Sequence, residues 1–219
     1  PEGAVAEAQT LLQMLGALDI QGRITTHGKA LATLPLHPRL GHMLVTGGQE
    51  AAQLAALMAE RDPLRGAPSD LLLRLQAMRD PKGFMRKRPY QVNLPVIERI
   101  KAESRRLRRQ GTQQADLDAT LSPAAMAALA YPDRIGQRRK GDTPRYVLSG
   151  GKGVVLDDSD TLAAAPFIVT LDSDGNLREA RVRMAAQISL GEIRSLFGDQ
   201  IAWHDVCEWS KRARRVASR

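Results

Sequence analysis

A cluster of cations around one short turn is the strongest chemical signal in this sequence. Four basic residues lie within eight positions, and only Asp142 opposes them: Arg138, Arg139, Lys140 and Arg145. The residues from 141 to 144 include glycine, aspartate and proline, which favour a turn between two strands. A cationic hairpin suits contact with phosphate groups, because each neutralised phosphate releases condensed counterions. We therefore expect these four side chains to bind a polyanion.

A second candidate is Lys152, which lies in the glycine-rich segment SGGKG at residues 149–153. A lysine on a flexible turn can reach a phosphate, and neighbouring glycine amides can help to hold it. A plain hairpin turn explains the same residues equally well.

The densest positive charge lies earlier in the chain. Residues 82–110 hold 10 basic and 2 acidic residues, whereas residues 1–81 hold 7 basic and 8 acidic residues. Secondary candidates for binding a polyanion are Arg105, Arg106, Arg108 and Arg109. A solvated helix face, or a surface that docks an acidic protein, is the alternative. The whole chain carries a net charge of +8, which favours a nucleic acid, RNA or DNA, as the partner.

Catalytic patterns are missing from the sequence. The pair Gly28–Lys29 is followed by Ala30, which has no hydroxyl for Mg²⁺, and GGKG at 150–153 has the wrong spacing for a phosphate loop. We therefore expect no catalytic residue and no ATP hydrolysis by this chain alone.

Metal and thiol chemistry are equally poorly supported. His37 and His42 are five positions apart, and His27 and His204 have no evident partners in the sequence. Asp172 and its neighbours favour a β-turn over a calcium loop. The single cysteine, Cys207, lies between Trp203 and Trp209, which favours a core position, and it permits no internal disulfide. A reducing cytoplasm fits this cysteine usage, and no apolar run reaches the length of a membrane span.

The first half of the chain has helical periodicity. We predict helices over 3–18, 26–33, 38–46, 49–61 and 95–110, with another helix capped by Ser69 and with Thr26 as a cap. Residues 23–25 favour a short strand or wing, and 111–120 favour a polar linker. The second half begins with a short helix at Ser122–Pro123 and continues with strands over 134–139, 145–148, 154–156, 166–172 and 179–188. Five short strands favour a small barrel of the OB type, with a half-open sandwich as the alternative.

Three segments of the first half resemble the helicase-associated region of DEAH-box helicases. They are LGALD at 15–19, GRITTHGKALATLPLHPRLGHML at 22–44 and AERDPLRG at 59–66. The second half is similar to the C-terminal domain of the bacterial HrpB branch, through ALAYPDRIGQRR at 128–139, YVLSGGKG at 146–153 and EARVRMAAQI at 179–188. The resemblance covers nearly the whole chain, with two domains in the expected order.

This resemblance implies an α+β chain in three parts. They are the end of a winged-helix module over 1–35, a helical "ratchet" domain over 36–120 and an OB-like domain over 121–219. In the family these parts pack against two RecA-like motor domains, which bind ATP and Mg²⁺, and single-stranded nucleic acid passes between them. The motor motifs are absent here, and the chain begins at Pro1 without a methionine. We therefore expect a fragment that holds nucleic acid for a motor encoded elsewhere in the same parent chain.

Overall fold

The computed structural model describes residues 2–110, 121–176, 179–201, 207–210 and 215–218. Residues 2–110 are mostly helical and hold α1 (Glu2–Met14), α2 (Thr26–Ala32), α3 (Pro38–Gly47), α4 (Ala52–Ala59), α5 (Leu71–Arg79), α6 (Pro81–Lys87) and α7 (Leu94–Gln110). A two-stranded pair, β1 (Leu64–Arg65) and β2 (Gln91–Val92), lies among them.

Residues 121–201 contain α8 (Pro123–Ala130) and α9 (Leu190–Phe197), which flank a barrel. Its strands are β3 (Ile135–Arg138), β4 (Arg145–Leu148), β5 (Gly153–Val155), β6 (Phe167–Ser173) and β7 (Ala180–Gln187). The strand order β3-β4-β5-β7-β6 closes on itself, and the pairing of β5 with β7 is parallel. The predicted α+β class is therefore confirmed, and the half-open sandwich is wrong.

Side-chain caps explain where several helices begin, and they correct two of our predictions. Thr25, rather than Thr26, caps α2 by accepting a hydrogen bond from the Gly28 amide at 2.9 Å. Asp70, rather than Ser69, caps α5 by accepting from the Leu72 amide at 2.8 Å. Both choices satisfy amide groups that the first helical turn leaves without a partner.

The chain between α1 and α2 turns back tightly. Leu18 and Ile24 form an isolated antiparallel bridge, so the expected wing is a single bridge. A Cβ atom at Gly28 would lie 2.1 Å from the carbonyl oxygen of Ala17, so only glycine allows α2 to pack this closely against the turn.

One hydrophobic core joins the helices to the barrel. It contains Leu44, Leu57 and Ile97 from the helical half together with Val169 and Ile188 from the barrel half. The barrel interior is a second, smaller cluster that includes Tyr146 and Ile168. Burial of a continuous apolar surface therefore holds the two halves together.

Two helices went unpredicted, although each has a sequence signal. Asp80 precedes Pro81 at the start of α6, and its carboxylate accepts from the Gly83 amide at 2.9 Å. Ser189 and Glu192 form a capping box at the start of α9. Strands β8 (Cys207–Ser210) and β9 (Arg215–Ser218) form an antiparallel pair that we also did not predict. The proposed linker 111–120, His204 and the side chains around Cys207 lie outside the described residues.

Glu192 connects the starting turns of two helices. Its carboxylate accepts hydrogen bonds from the hydroxyl of Ser122, which caps α8, and from the amide and hydroxyl of Ser189 at 2.8 and 2.6 Å. Burial opposes ionisation of Glu192, but these hydrogen bonds outweigh it and lower the pKa below its ordinary value of 4.5.

We expect Glu192→Gln to lower the free energy of unfolding by about 1 kcal/mol at neutral pH, because an amide cannot accept both hydroxyl protons. A lowered folded-state pKa means that the contribution is complete above the unfolded pKa and disappears as the pH falls through the folded value. Urea unfolding across a pH series should show a steeper loss of stability in acid for the wild type than for the variant. Parallel curves, or an equal effect of the exposed control Glu50→Gln, would contradict this role.

Candidate nucleic-acid interface

The cationic hairpin predicted from the sequence is formed by β3, residues 139–144 and β4. Arg138 pairs with Tyr146 across the two strands, and the Arg139 amide donates to the Arg145 carbonyl at 2.8 Å. The hairpin therefore brings three of the four cations to one end of the barrel, and Lys140 follows directly in the exposed turn.

Arg138 is occupied by contacts within the protein. Its guanidinium donates to the carbonyl oxygens of Ala163 at 2.9 Å and Asp142 at 3.4 Å, and the side chain is partly buried. These bonds hold the loop after β5 against the hairpin, which is a structural task. Arg139 and Lys140 are exposed and form no ion pair within the described residues.

Arg145 forms an ion pair with Glu179 at 2.8 Å, although its side chain remains 53% exposed. An exposed pair of this kind contributes little to stability and is easily exchanged for another anion. Arg145 therefore remains available to a phosphate at modest cost.

The strand register places these arginines in a row that the sequence did not disclose. Arg145 lies opposite Val155 in β5, and Val155 lies opposite Arg181 in β7. Arg139 is next to Arg145 on the other side, and residues opposite each other on neighbouring strands point to the same face. Tyr146 and Val154 point into the barrel, so the row faces outward. We call Arg139, Arg145 and Arg181 the arginine row.

Arg181 and Arg183 were missed by our sequence reasoning. Arg181 lies between Ala180 and Val182, which belong to the barrel-interior cluster, so it points outward from β7, and Arg183 is also exposed. The alternation was legible in the sequence, but only the parallel pairing of β5 with β7 places Arg181 beside the hairpin.

Lys152 lies apart from the other candidates. β4 runs from Arg145 to Leu148, so the turn that carries Lys152 is at the opposite end of the barrel. It borders a cavity of about 700 Å³ whose wall also includes Arg134 and the buried Thr170. The Gly150 and Gly151 amides donate to protein carbonyls at 2.9 and 2.8 Å, so they do not offer the phosphate contact that we expected.

Two tyrosines lie near the cationic hairpin in the sequence, where an aromatic ring could stack on a base, but both make contacts within the protein. Tyr146 is fully buried, and its hydroxyl donates to carbonyl oxygens in the loop after β5, with Leu162 and Ala165 each at 2.9 Å. Tyr131 lies between the guanidinium groups of Arg39 and Arg134, at 5.1 and 4.5 Å from its ring centre. Burial raises the pKa of both phenols. The barrel face is therefore suited to phosphate contact rather than stacking.

The secondary candidates on α7 divide into two groups. Arg106 bonds to Glu103 at 2.8 Å, whereas Arg105, Arg108 and Arg109 are exposed and form no ion pair within the described residues. The apolar face of α7, including Ile97 and Ile100, packs into the shared core.

His27 corrects another expectation, because it does have a partner. Its Nε2 lies 2.8 Å from Nδ1 of His42, and the two rings meet edge to face. The described residues hold no cluster of three potential metal ligands, and none of their helices is long and apolar enough to cross a bilayer.

Comparison with known proteins finds relatives that share this architecture. Residues 8–36 match the family described as "Helicase associated domain (HA2), winged-helix". The ATP-dependent RNA helicase HrpB of Escherichia coli K12 is 30% identical over 209 residues, which cover 92% of this chain and 23% of the relative. A crystal structure of the E. coli DExH-box NTPase HrpB matches 100% of this chain and 25% of its own, with 28% identity and a TM-score of 0.71. A second HrpB crystal structure from E. coli covers 98% of this chain at 25% identity, with a TM-score of 0.63.

The class that these matches define is the C-terminal accessory region of a DEAH-box helicase, as the sequence predicted. Within that class, the chain corresponds to a C-terminal fragment of the HrpB type. It spans about a quarter of the length of the relatives that it matches.

Proposed function

We propose that this chain is the nucleic-acid-gripping accessory region of an ATP-dependent RNA (or DNA) helicase. The observation that carries the proposal is the arginine row, which points three cations outward across the face of an OB-like barrel. Lys140 and Arg183 extend the positive surface around it. The relationship to HrpB supports the helicase context.

The chemistry of this face favours a single strand held without regard to sequence. Contacts from guanidinium groups to phosphates are strong and carry no sequence information, and Tyr131 and Tyr146 are engaged in contacts within the protein. Neighbouring strands of a sheet are about 4.8 Å apart, so the row from Arg139 to Arg181 spans roughly 14 Å. A strand lying across it can contact more than one cation at once, which suits a translocating machine.

The parent protein supplies the remaining parts in this proposal. ATP and Mg²⁺ bind in RecA-like motor domains of the same parent chain, and the accessory region packs against them in the cytoplasm. Our proposed division is a partial winged helix over 1–35, a ratchet-like domain over 36–120 and the OB-like domain over 121–219. A stand-alone RNA-binding module and a platform that docks an acidic protein are the competing functions.

The test replaces the arginine row with glutamine at positions 139, 145 and 181 and measures binding of labelled single-stranded RNA and DNA by fluorescence anisotropy. We expect affinity to fall about 10- to 100-fold, because each arginine loses one exposed ion pair with a phosphate. The slope of log affinity against log salt should flatten by about 2 units, at about 0.7 per phosphate contact.

The matched control replaces three exposed cations of the helical half, Lys82, Arg86 and Arg88, with glutamine, which changes the net charge equally. An equal loss of affinity in both variants would show that only total charge matters. The proposed function would be refuted if the affinity of the wild type for RNA did not change with salt concentration. It would also be refuted if the wild type bound an acidic protein more tightly than RNA.

A further inference from the structure

Helix α7 presents three cations along one stripe. Lys101, Arg105 and Arg108 have the spacing that brings side chains together on the same side of a helix. They line a cleft of about 180 Å³ together with Gln53, Met78 and Ser104. This stripe borders the apolar face of α7 and is separate from the arginine row, which belongs to the barrel.

The cleft has an unbalanced positive charge. No carboxylate of the described residues lines it, and among its three cations only Lys101 has an ion pair within that part of the chain, with its Nζ 3.3 Å from Oε1 of the exposed Glu98. By contrast, Arg106 on the same helix is paired with Glu103, and Arg99 is paired with Glu60 at 2.9 Å. Two arginines of α7 outside the cleft are therefore neutralised, whereas Arg105 and Arg108, which line it, form no ion pair within the described residues.

Ser104 provides a second, independent observation. It is 8% exposed, and its hydroxyl forms no hydrogen bond with the other described residues. A serine within a helix commonly satisfies its hydroxyl on the carbonyl one turn earlier. The Ser104 hydroxyl therefore offers a hydrogen-bond donor in the wall of the cleft, beside Arg105 and Arg108.

We propose that this cleft binds one phosphate group. Arg105 and Arg108 supply charge and planar donors, Lys101 supplies a further charge, and the Ser104 hydroxyl and Gln53 amide donate hydrogen bonds. The cleft is below the roughly 300–1,000 Å³ of pockets that hold whole small molecules, so it takes a phosphate and not the attached nucleoside. The phosphate comes either from a nucleic-acid strand or from solution, and only the first source rests on the proposed function.

The experiment uses the 219-residue chain, with inorganic phosphate and two labelled oligonucleotides as probes, one with a 5′-phosphate and one with a 5′-hydroxyl. Backbone NMR of residues 101–108 follows phosphate binding, and anisotropy follows the oligonucleotides. Ser104→Ala should weaken phosphate binding about 10-fold, since a hydrogen bond to a charged group is lost, while thermal stability stays unchanged. Arg105→Gln with Arg108→Gln should weaken it about 10-fold as well.

Two controls match these variants. Ser69→Ala removes a buried hydroxyl that has no hydrogen-bond partner and lies outside the cleft. Arg86→Gln with Arg88→Gln removes two exposed cations that do not line it. Neither control should change phosphate binding.

The outcomes separate the two sources of phosphate and the two proposals. Weaker binding of phosphate and of both oligonucleotides in the cleft variants identifies strand phosphates, and an effect on only the 5′-phosphorylated probe identifies a strand end. If the cleft variants bind phosphate more weakly but bind both oligonucleotides as the wild type does, the ligand is free phosphate. That conclusion holds even if the arginine-row variant shows the proposed function to be wrong. The proposal would be wrong if the cleft and control variants lost the same affinity for phosphate. It would also be wrong if phosphate caused no change in the NMR signals of residues 101–108.

Discussion

Replacing Arg74 with methionine is expected to lower the free energy of unfolding by about 3 kcal/mol. Arg74 is only 2% exposed, and it bonds to Asp62 from Nε and Nη2, the closer contact at 2.7 Å. Its Nη1 also donates to the carbonyl oxygens of Pro68 and Asp70, the second at 3.0 Å. The variant leaves these acceptors without a donor, because water cannot fill the space taken by methionine.

The loss should also reach the barrel. The Ser69 carbonyl accepts from the Ala185 amide at 2.9 Å, and the Ser69 amide donates to Asp160 at 2.8 Å. Arg74 holds the loop that makes these contacts, so its removal loosens the attachment of the helices to β7. Urea unfolding of Arg74→Met and of the exposed control Arg79→Met provides the comparison. A difference below about 1 kcal/mol would show that the loop holds without Arg74.

Removing the carboxylate of Asp133 is expected to lower the free energy of unfolding by about 2 kcal/mol. Asp133 accepts two hydrogen bonds from the guanidinium of Arg39, at 2.6 and 2.9 Å, and the Arg39 side chain is 12% exposed. Arg39 also donates to the Ala130 carbonyl at 3.1 Å. The pair joins α3 to the start of the barrel, and an Asp133→Ala variant leaves a largely buried cation without its anion.

A double-mutant cycle measures this pair directly. Arg39→Met and Asp133→Ala should show a coupling energy of about 1–2 kcal/mol in urea unfolding. The exposed pair Arg23–Asp19, whose arginine side chain is 75% exposed, is the control and should show less than about 1 kcal/mol. Additive effects at Arg39 and Asp133 would mean that the pair does not join the two halves.

Local patterns in the sequence predicted the elements well. The apolar spacing of Val96, Ile97 and Ile100 located α7, and the serine and proline at 122–123 located α8. Turn residues between β-like runs located the five barrel strands, because strand ends need particular backbone conformations. The starts of α6 and α9 also carried local signals, in Asp80–Pro81 and in Ser189 with Glu192, so these misses were avoidable.

The site could be predicted only in part, because it depends on register. Arg139 and Lys140 stand out as charged residues in a turn, but Arg138 beside them donates to Ala163, which is 25 positions away. Arg181 joins the row only through the parallel pairing of β5 with β7. Contacts between distant segments follow from packing, and no local pattern encodes them.

The shared core has a consequence for the order in which the newly made chain can fold on the ribosome. Residues such as Leu57 and Ile97 emerge long before Met184, Ala186 and Ile188, yet all five belong to one buried cluster. Until β7 has been synthesised, the helical half exposes the apolar surface that the barrel will cover. Long-range closure is slow, and exposed apolar surface promotes association with other chains. A nascent chain halted before β7 is therefore a natural target for chaperones, even though most of its helices have already been made.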